Sequence, residues 1–162
     1  MAFTIRDYRE EDRSALEALM EELQGHLVKI DPLKRQRRVP EFGRKYVENL
    51  FEKIRNDDGK ICIAEDHGSV VGCSACVIIT LSEEDLLSVQ PLSEGRILEL
   101  VVLPHARGKG IGTALMHAAE EYLRSKGCSA ARIQAFAPNK NARSLYERLG
   151  YTERVVDLMK VL

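Results

Sequence analysis

The stretch "PHARGKGIGTALM", Pro104 to Met116, sets glycines at 108, 110 and 112 around two cations, then runs into Ala, Leu and Met. Glycine opposes a helix and the residues that follow favour one, so bare backbone is wanted where a helix begins. Upstream, "RILELVVL" reads as a strand that ends at Pro104. Downstream, Ile111, Leu115, Ala118, Ala119 and Leu123 share one helical face, and Gly127 stands just past its end. The first amides of a helix have no internal partner, and the helix dipole adds partial positive charge there. Glycines remove the Cβ atoms that would keep a ligand from those amides, and Arg107 and Lys109 add charge. The segment therefore reads as a phosphate or pyrophosphate cradle. It is neither of two common nucleotide loops. No Lys-Ser/Thr pair follows Gly110, and the spacing is G-x-G-x-G rather than G-x-G-x-x-G.

Working outward, "FTIRDY" reads as a strand. "EEDRSALEALMEELQGHL" carries a helical stripe of Leu16, Leu19, Met20, Leu23 and Leu27. "PEFGRKYVENLFEKI" repeats it with Phe42, Tyr46, Leu50 and Ile54, and Pro40 suits the start. "KICIAE" and "SVVGCSACVIITL" flank the turn "DHGS" as a hairpin. "SEEDLLSVQPLSEG" reads as a polar loop, and "AARIQAFA" as a strand. "NKNARSLYERLG" reads as a helix with an Asn cap and Gly150 as its stop, and "YTERVVDLMKVL" as the final strands. Helices alternating with strands on a mixed sheet give an α/β or α+β class, in one domain over residues 1–162.

Composition narrows the function. A net charge of −1 argues against a dedicated nucleic-acid binder. No apolar run reaches the roughly 20 residues of a membrane-spanning helix. The N-terminal "MAFTIRDYREEDR" lacks a signal-peptide core. The expectation is a cytoplasmic protein with no membrane or nucleic-acid partner. Cysteines stand at 62, 73, 76 and 128. Cys73 and Cys76 form a C-x-x-C, but on a strand residues i and i+3 point to opposite faces, so the thiols diverge. No second Cys/His pair has zinc spacing, and no metal is expected. Cys128, after Gly127, reads as a surface or strand-start residue.

With "ILELVVLPHARGKGIGTALM" followed by "NKNARSLYERLGY", the chain resembles the GNAT superfamily of acetyl-CoA-dependent N-acetyltransferases over residues 96–151. The resemblance implies a central mixed, mostly antiparallel sheet, splayed at its fourth strand and flanked by about four helices. It implies that acetyl-CoA is the co-substrate. Backbone amides of Arg107, Gly108, Lys109, Gly110, Ile111 and Gly112 would bind the pyrophosphate. A bulge upstream would free the backbone of Leu100, Val101 and Val102 for pantetheine, and an amide there would polarise the acetyl carbonyl. Asn139 matches a cofactor-contacting position, and Tyr146 matches a tyrosine near the thioester sulfur, able to protonate the leaving thiolate. For the base, Glu99 is the first candidate, with a water chain as the alternative. Some relatives carry a glutamate where this chain has Gln134, which is no proton acceptor.

The implied reaction is direct transfer of acetyl to a primary amine in a ternary complex. The alternative is a non-catalytic acyl-CoA-binding or sensor domain. "KRQRR", Lys34 to Arg38, and "SEED", Ser82 to Asp85, are opposite charge runs that read first as solvated loops; the alternative, in the layout the resemblance implies, is that both flank the acceptor site, and their opposite signs leave the amine's identity open. A homodimer is the assembly the resemblance suggests, though no stripe singles out an interface.

Overall fold

The computed structural model describes residues 3–162. Strand β1 (Phe3–Asp7) passes through a 3-10 turn at Glu10–Asp12 into helix α1 (Arg13–Ile30), and helix α2 (Phe42–Asn56) follows. Strands β2 (Lys60–Asp66) and β3 (Ser69–Ile79) then form a hairpin. Its two-residue turn holds His67 and Gly68 at φ of 49° and 77°, the left-handed pair that matches strand twist. Helix α3 (Glu83–Ser88), strand β4 (Glu94–Val102), helix α4 (Ile111–Ser125), strand β5 (Ala130–Ile133) and helix α5 (Lys140–Arg148) complete the order.

The strands make one sheet in the order β1-β2-β3-β4-β5. The first four pair antiparallel, and β4 pairs with β5 in parallel. The mixed, mostly antiparallel sheet expected from the sequence is present. Helices α1 and α2 cover one face, where Leu16, Leu19, Met20, Val47 and Leu50 pack on Ile61, Ile63, Cys73, Ala75 and Val101. Helix α4 covers the other, with Ile111 and Leu115 against Cys62, Ala64 and Val71, and Met116, Ala119 and Leu123 against Cys76 and Ile97. Each large apolar side chain buried this way contributes about 1.5–3 kcal/mol. The C-x-x-C thiols do diverge, Cys73 toward α1 and α2 and Cys76 toward α4.

Close packing and ion pairing hold the helical face. A Cβ on Gly43 would stand 2.4 Å from the Glu17 carbonyl oxygen, so the approach of α2 to α1 depends on its absence. Arg6 donates to both carboxylate oxygens of buried Asp12, at 2.7 and 2.8 Å, and to Glu65 at 2.9 Å.

Four expectations are corrected. Ser82–Ser88 is not loop: Ser82 caps α3 by accepting from the Asp85 N–H at 3.1 Å, and Asp85 returns the contact to the Ser82 N–H at 2.9 Å. The capping box and three acidic residues in the first turn favour the helix over a polar coil. Strand β5 stops at Ile133, short of "QAFA". Residues 151–162 form no strand. Val155, Leu158 and Val161 are exposed there, since β-branched content does not supply a partner edge. Cys128 is buried, 8% exposed, under the α4 face.

Candidate active site

The pairing of β3 with β4 runs Ala75 with Glu99, then Cys76 with Ile97, so Leu98 is an extra residue in β4. Such a bulge reverses the alternation of side chains beyond it. Ile97 therefore packs against α4, whereas Arg96, Leu98 and Glu99 all reach clefts on the α2 side. Glu99 is 8% exposed. It accepts a short hydrogen bond from the Tyr46 hydroxyl, and Tyr46 is itself held by Phe42 stacked on it at 5.2 Å. Burial pushes the Glu99 carboxyl above the usual carboxylate range. The Tyr46 hydrogen bond and the charges of Lys53 and Arg96 pull it partly back. The same burial, with Glu99 beside it, raises the Tyr46 phenol.

On its other side, β4 pairs with β5 only from Glu94 with Ala130 to Ile97 with Ile133. From Leu98 to Val102 no described strand lies beside that edge, so the two strands part where the bulge stands. Leu100, Val101 and Val102 lie in this unpaired stretch, with Val101 turned into the α1–α2 core and Leu100 and Val102 toward α4. Tyr146, on α5, packs with Ile133, Leu149 and Tyr151 against the α4 side of the sheet. Its hydroxyl has no hydrogen-bond partner among the described residues. Burial, with a smaller contribution from the negative charge of Glu99, pushes its phenol up to about 12.

At the end of β4 the chain makes a 3-10 turn, Pro104–Ala106, and enters the glycine loop. Gly108 and Gly110 take φ of 79° and 84°, and a Cβ at either would meet nothing within 4 Å, so both border open space. Gly110 caps α4, and the first amide to reach back is that of Ala114, at 3.0 Å from the Gly110 carbonyl. Among the described residues, the backbone amides from Gly108 to Thr113 donate to no protein acceptor. The nearby cations are engaged elsewhere. Arg107 donates to the Val102 carbonyl at 2.9 Å, and Lys109 pairs with Asp66 at 3.1 Å. The loop offers free peptide nitrogens first and side-chain charge second. Asn139 caps α5, accepting from the Ala142 N–H at 3.3 Å.

Two adjoining cavities of about 330 and 350 Å³ line the α2 side of β4 and share Lys53 and Leu98. The first holds Tyr46 and Glu99; the second holds Arg96 and Thr80. Neither charge run lines them. Lys34–Arg38 wraps around buried Asp31, whose carboxylate accepts the amides of Leu33, Arg35 and Gln36. Ser82–Asp85 is spent on capping α3. Gln134 lies just past β5 rather than on it, and accepts from Arg96. Tyr46, Lys53 and Arg96 went unmarked by the sequence reading. Tyr46 sits in an apolar helical stripe, and nothing local pairs it with a residue 53 positions away. Among the described residues no group of three or more His, Cys, Asp or Glu is placed to hold a metal ion.

Comparison with known proteins identifies the class. The family model described as "Acetyltransferase (GNAT) family" matches residues 16–151, and the chain belongs to that family, whose members use acetyl-CoA as co-substrate. It is 35% identical over 104 residues to an uncharacterized N-acetyltransferase of Bacillus subtilis, covering 64% of this chain and 66% of that one. It is 34% identical over 115 residues to an uncharacterized N-acetyltransferase of Methanocaldococcus jannaschii, covering 71% of this chain and 47% of the relative. The matched stretch thus spans between about half and two thirds of these relatives' length. Among solved structures, a Pyrococcus furiosus protein described as an acetyl transferase superposes with a TM-score of 0.74 at 26% identity, over 99% of both chains. No described helix is long and apolar enough to cross a membrane.

Proposed function

We propose that this protein is an acyltransferase that moves acetyl from acetyl-CoA directly to a primary amine. The observation that carries the reading is the run of amides from Gly108 to Thr113, unpartnered among the described residues, one turn after a strand whose outer edge has no described strand beside it from Leu98 to Val102. A diphosphate fits the amides and the α4 dipole. The unpaired edge at Leu100, Val101 and Val102 suits an extended amide-bearing arm that hydrogen-bonds as a strand would. Asn139 stands at the second motif for a further contact with the co-substrate.

In the reaction, the amine nitrogen attacks the thioester carbonyl, the C–N bond forms, and the C–S bond breaks. The proton leaving nitrogen goes to Glu99, directly or through water, and the thiolate sulfur takes a proton from Tyr146. The two groups help each other. Glu99 contributes to the raised Tyr146 pKa. Once Glu99 is protonated that contribution disappears, and Tyr146 becomes the stronger acid as the sulfur leaves. The Tyr46 hydrogen bond to Glu99 favours its ionised, proton-accepting form. Most of the acceleration comes from positioning and from amides aimed at developing charge.

The test is thiol release from acetyl-CoA across a panel of amines, alongside calorimetry with CoA. Amine-dependent thiol release with CoA binding is expected. CoA binding with no release from any amine would replace the enzyme by an acyl-CoA-binding domain.

A further inference from the structure

The half-buried guanidinium of Arg96 makes no ion pair among the described residues, although its charge acts on Glu99 from a distance. The other half-buried arginine on the sheet, Arg6, is matched by two carboxylates. Arg96 donates only to the neutral amide of Gln134. The Lys53 ammonium, across the same cleft on α2, makes no hydrogen bond or ion pair among the described residues, and no carboxylate oxygen lies within 4.0 Å of either cation. A partly desolvated guanidinium whose one partner is a neutral amide is poorly compensated, and its fixed fork suits a carboxylate or phosphate. Arg96 and Glu99 reach the same side of β4 because of the Leu98 bulge, and the adjoining cavities join them through Lys53 and Leu98.

Resting on the acetyl-transfer reading above, we propose that the cleft selects a small primary amine carrying a compact anionic group, held by Arg96 and Lys53 while the amine faces Glu99. Thr80 adds a hydroxyl at the anionic end. Besides Glu99, two exposed carboxylates share these walls, Glu52 and Asp57. They oppose a polyanion and leave a small group of low charge as the match. A diamine would set a second cation against Arg96 and Lys53, and a neutral amine would offer neither cation a counter-charge.

The experiment measures steady-state acetylation of β-alanine, O-phosphoethanolamine, propylamine and 1,3-diaminopropane, with CoA binding followed by calorimetry on every variant. The expected result is a kcat/KM for β-alanine or O-phosphoethanolamine at least about tenfold above that for propylamine, with the diamine lowest. Whichever acid leads identifies the anion as carboxylate or phosphate. In Arg96→Gln and Lys53→Gln the anionic-over-neutral ratio falls about tenfold, through KM rather than kcat, and Arg96→Lys restores part of it. Lys53 is exposed on α2, so Lys53→Gln keeps the test available if Arg96→Gln fails to fold. Equal or better turnover of propylamine or the diamine, an unchanged ratio in a folded variant, or no turnover of any of the four by protein that binds CoA overturns the acceptor assignment alone. Absence of CoA binding overturns the acetyl-transfer reading beneath it.

Discussion

At the residue scale the proposed chemistry rests on two side chains whose environments suit opposite tasks. Tyr146 is protonated at neutral pH as any phenol is, and burial moves its pKa further up. Tyr146→Phe is expected to lower kcat at least about tenfold while calorimetry still detects CoA binding; unchanged turnover removes Tyr146 from the mechanism. Glu99 is buried with a raised pKa, so the folded protein binds its proton more tightly than the unfolded chain does. Between the ordinary carboxylate value of about 4.3 and the raised one, stability falls as pH rises. Glu99→Gln removes that loss. Its melting temperature should gain on wild type as pH climbs through this window, then hold a constant lead, and an offset independent of pH would refute the assignment. The same substitution should abolish the acid limb of the kcat/KM profile, because wild-type Glu99 must be ionised to accept a proton. An acid limb unmoved in Glu99→Gln places the base elsewhere.

At the scale of elements, the strand β4, its bulge and the turn into α4 form one device. Gly110 caps α4 at positive φ over open space. Gly110→Val should cost about 1–2 kcal/mol of stability from the left-handed backbone. It should also weaken CoA binding by about tenfold or more by shielding the amides; calorimetry and thermal unfolding separate the two effects. Gly43→Ala tests packing instead. Its methyl would meet the Glu17 carbonyl of α1, and overpacking of this kind costs about 1–3 kcal/mol in denaturant unfolding. Since α2 carries Tyr46, the loss should be accompanied by a raised KM for the amine. Gly127 and Gly150 end their helices as the sequence suggests, at φ of 83° and 88°. The capping box of α3 was equally visible as S-x-x-D, yet the acidic run masked it as loop.

For the whole molecule, the sheet separates two layers of core and keeps every thiol inside. Burial raises Cys62 and Cys73, and pushes Cys76 up to about 12. All four cysteines are buried and free. This placement supports the proposed direct transfer over an acetyl-cysteine intermediate. Mass spectrometry after incubation with acetyl-CoA alone should find no acetylated cysteine, and initial-rate plots should intersect rather than run parallel. Parallel lines with a labelled thiol would establish a covalent relay.

Apolar stripes, caps and turn residues placed α1, α2, α4, α5, the central hairpin and strand β4, because these are local properties of the chain. The glycine loop was legible for the same reason: free amides, positive φ and a helix start need only adjacent residues. Strand pairing was less so. β5 stops early and residues 151–162 stay unpaired because an edge exists only when another segment reaches it. Only the tertiary structure turned Leu98 into a bulge and brought Glu99 round to Tyr46, Lys53 and Arg96. The sequence by itself determined where bare amides open a helix, the place proposed for a diphosphate. What lines the proposed acceptor cleft was decided by α2 lying across β4, a contact that joins residues 53 positions apart and that no local pattern encodes.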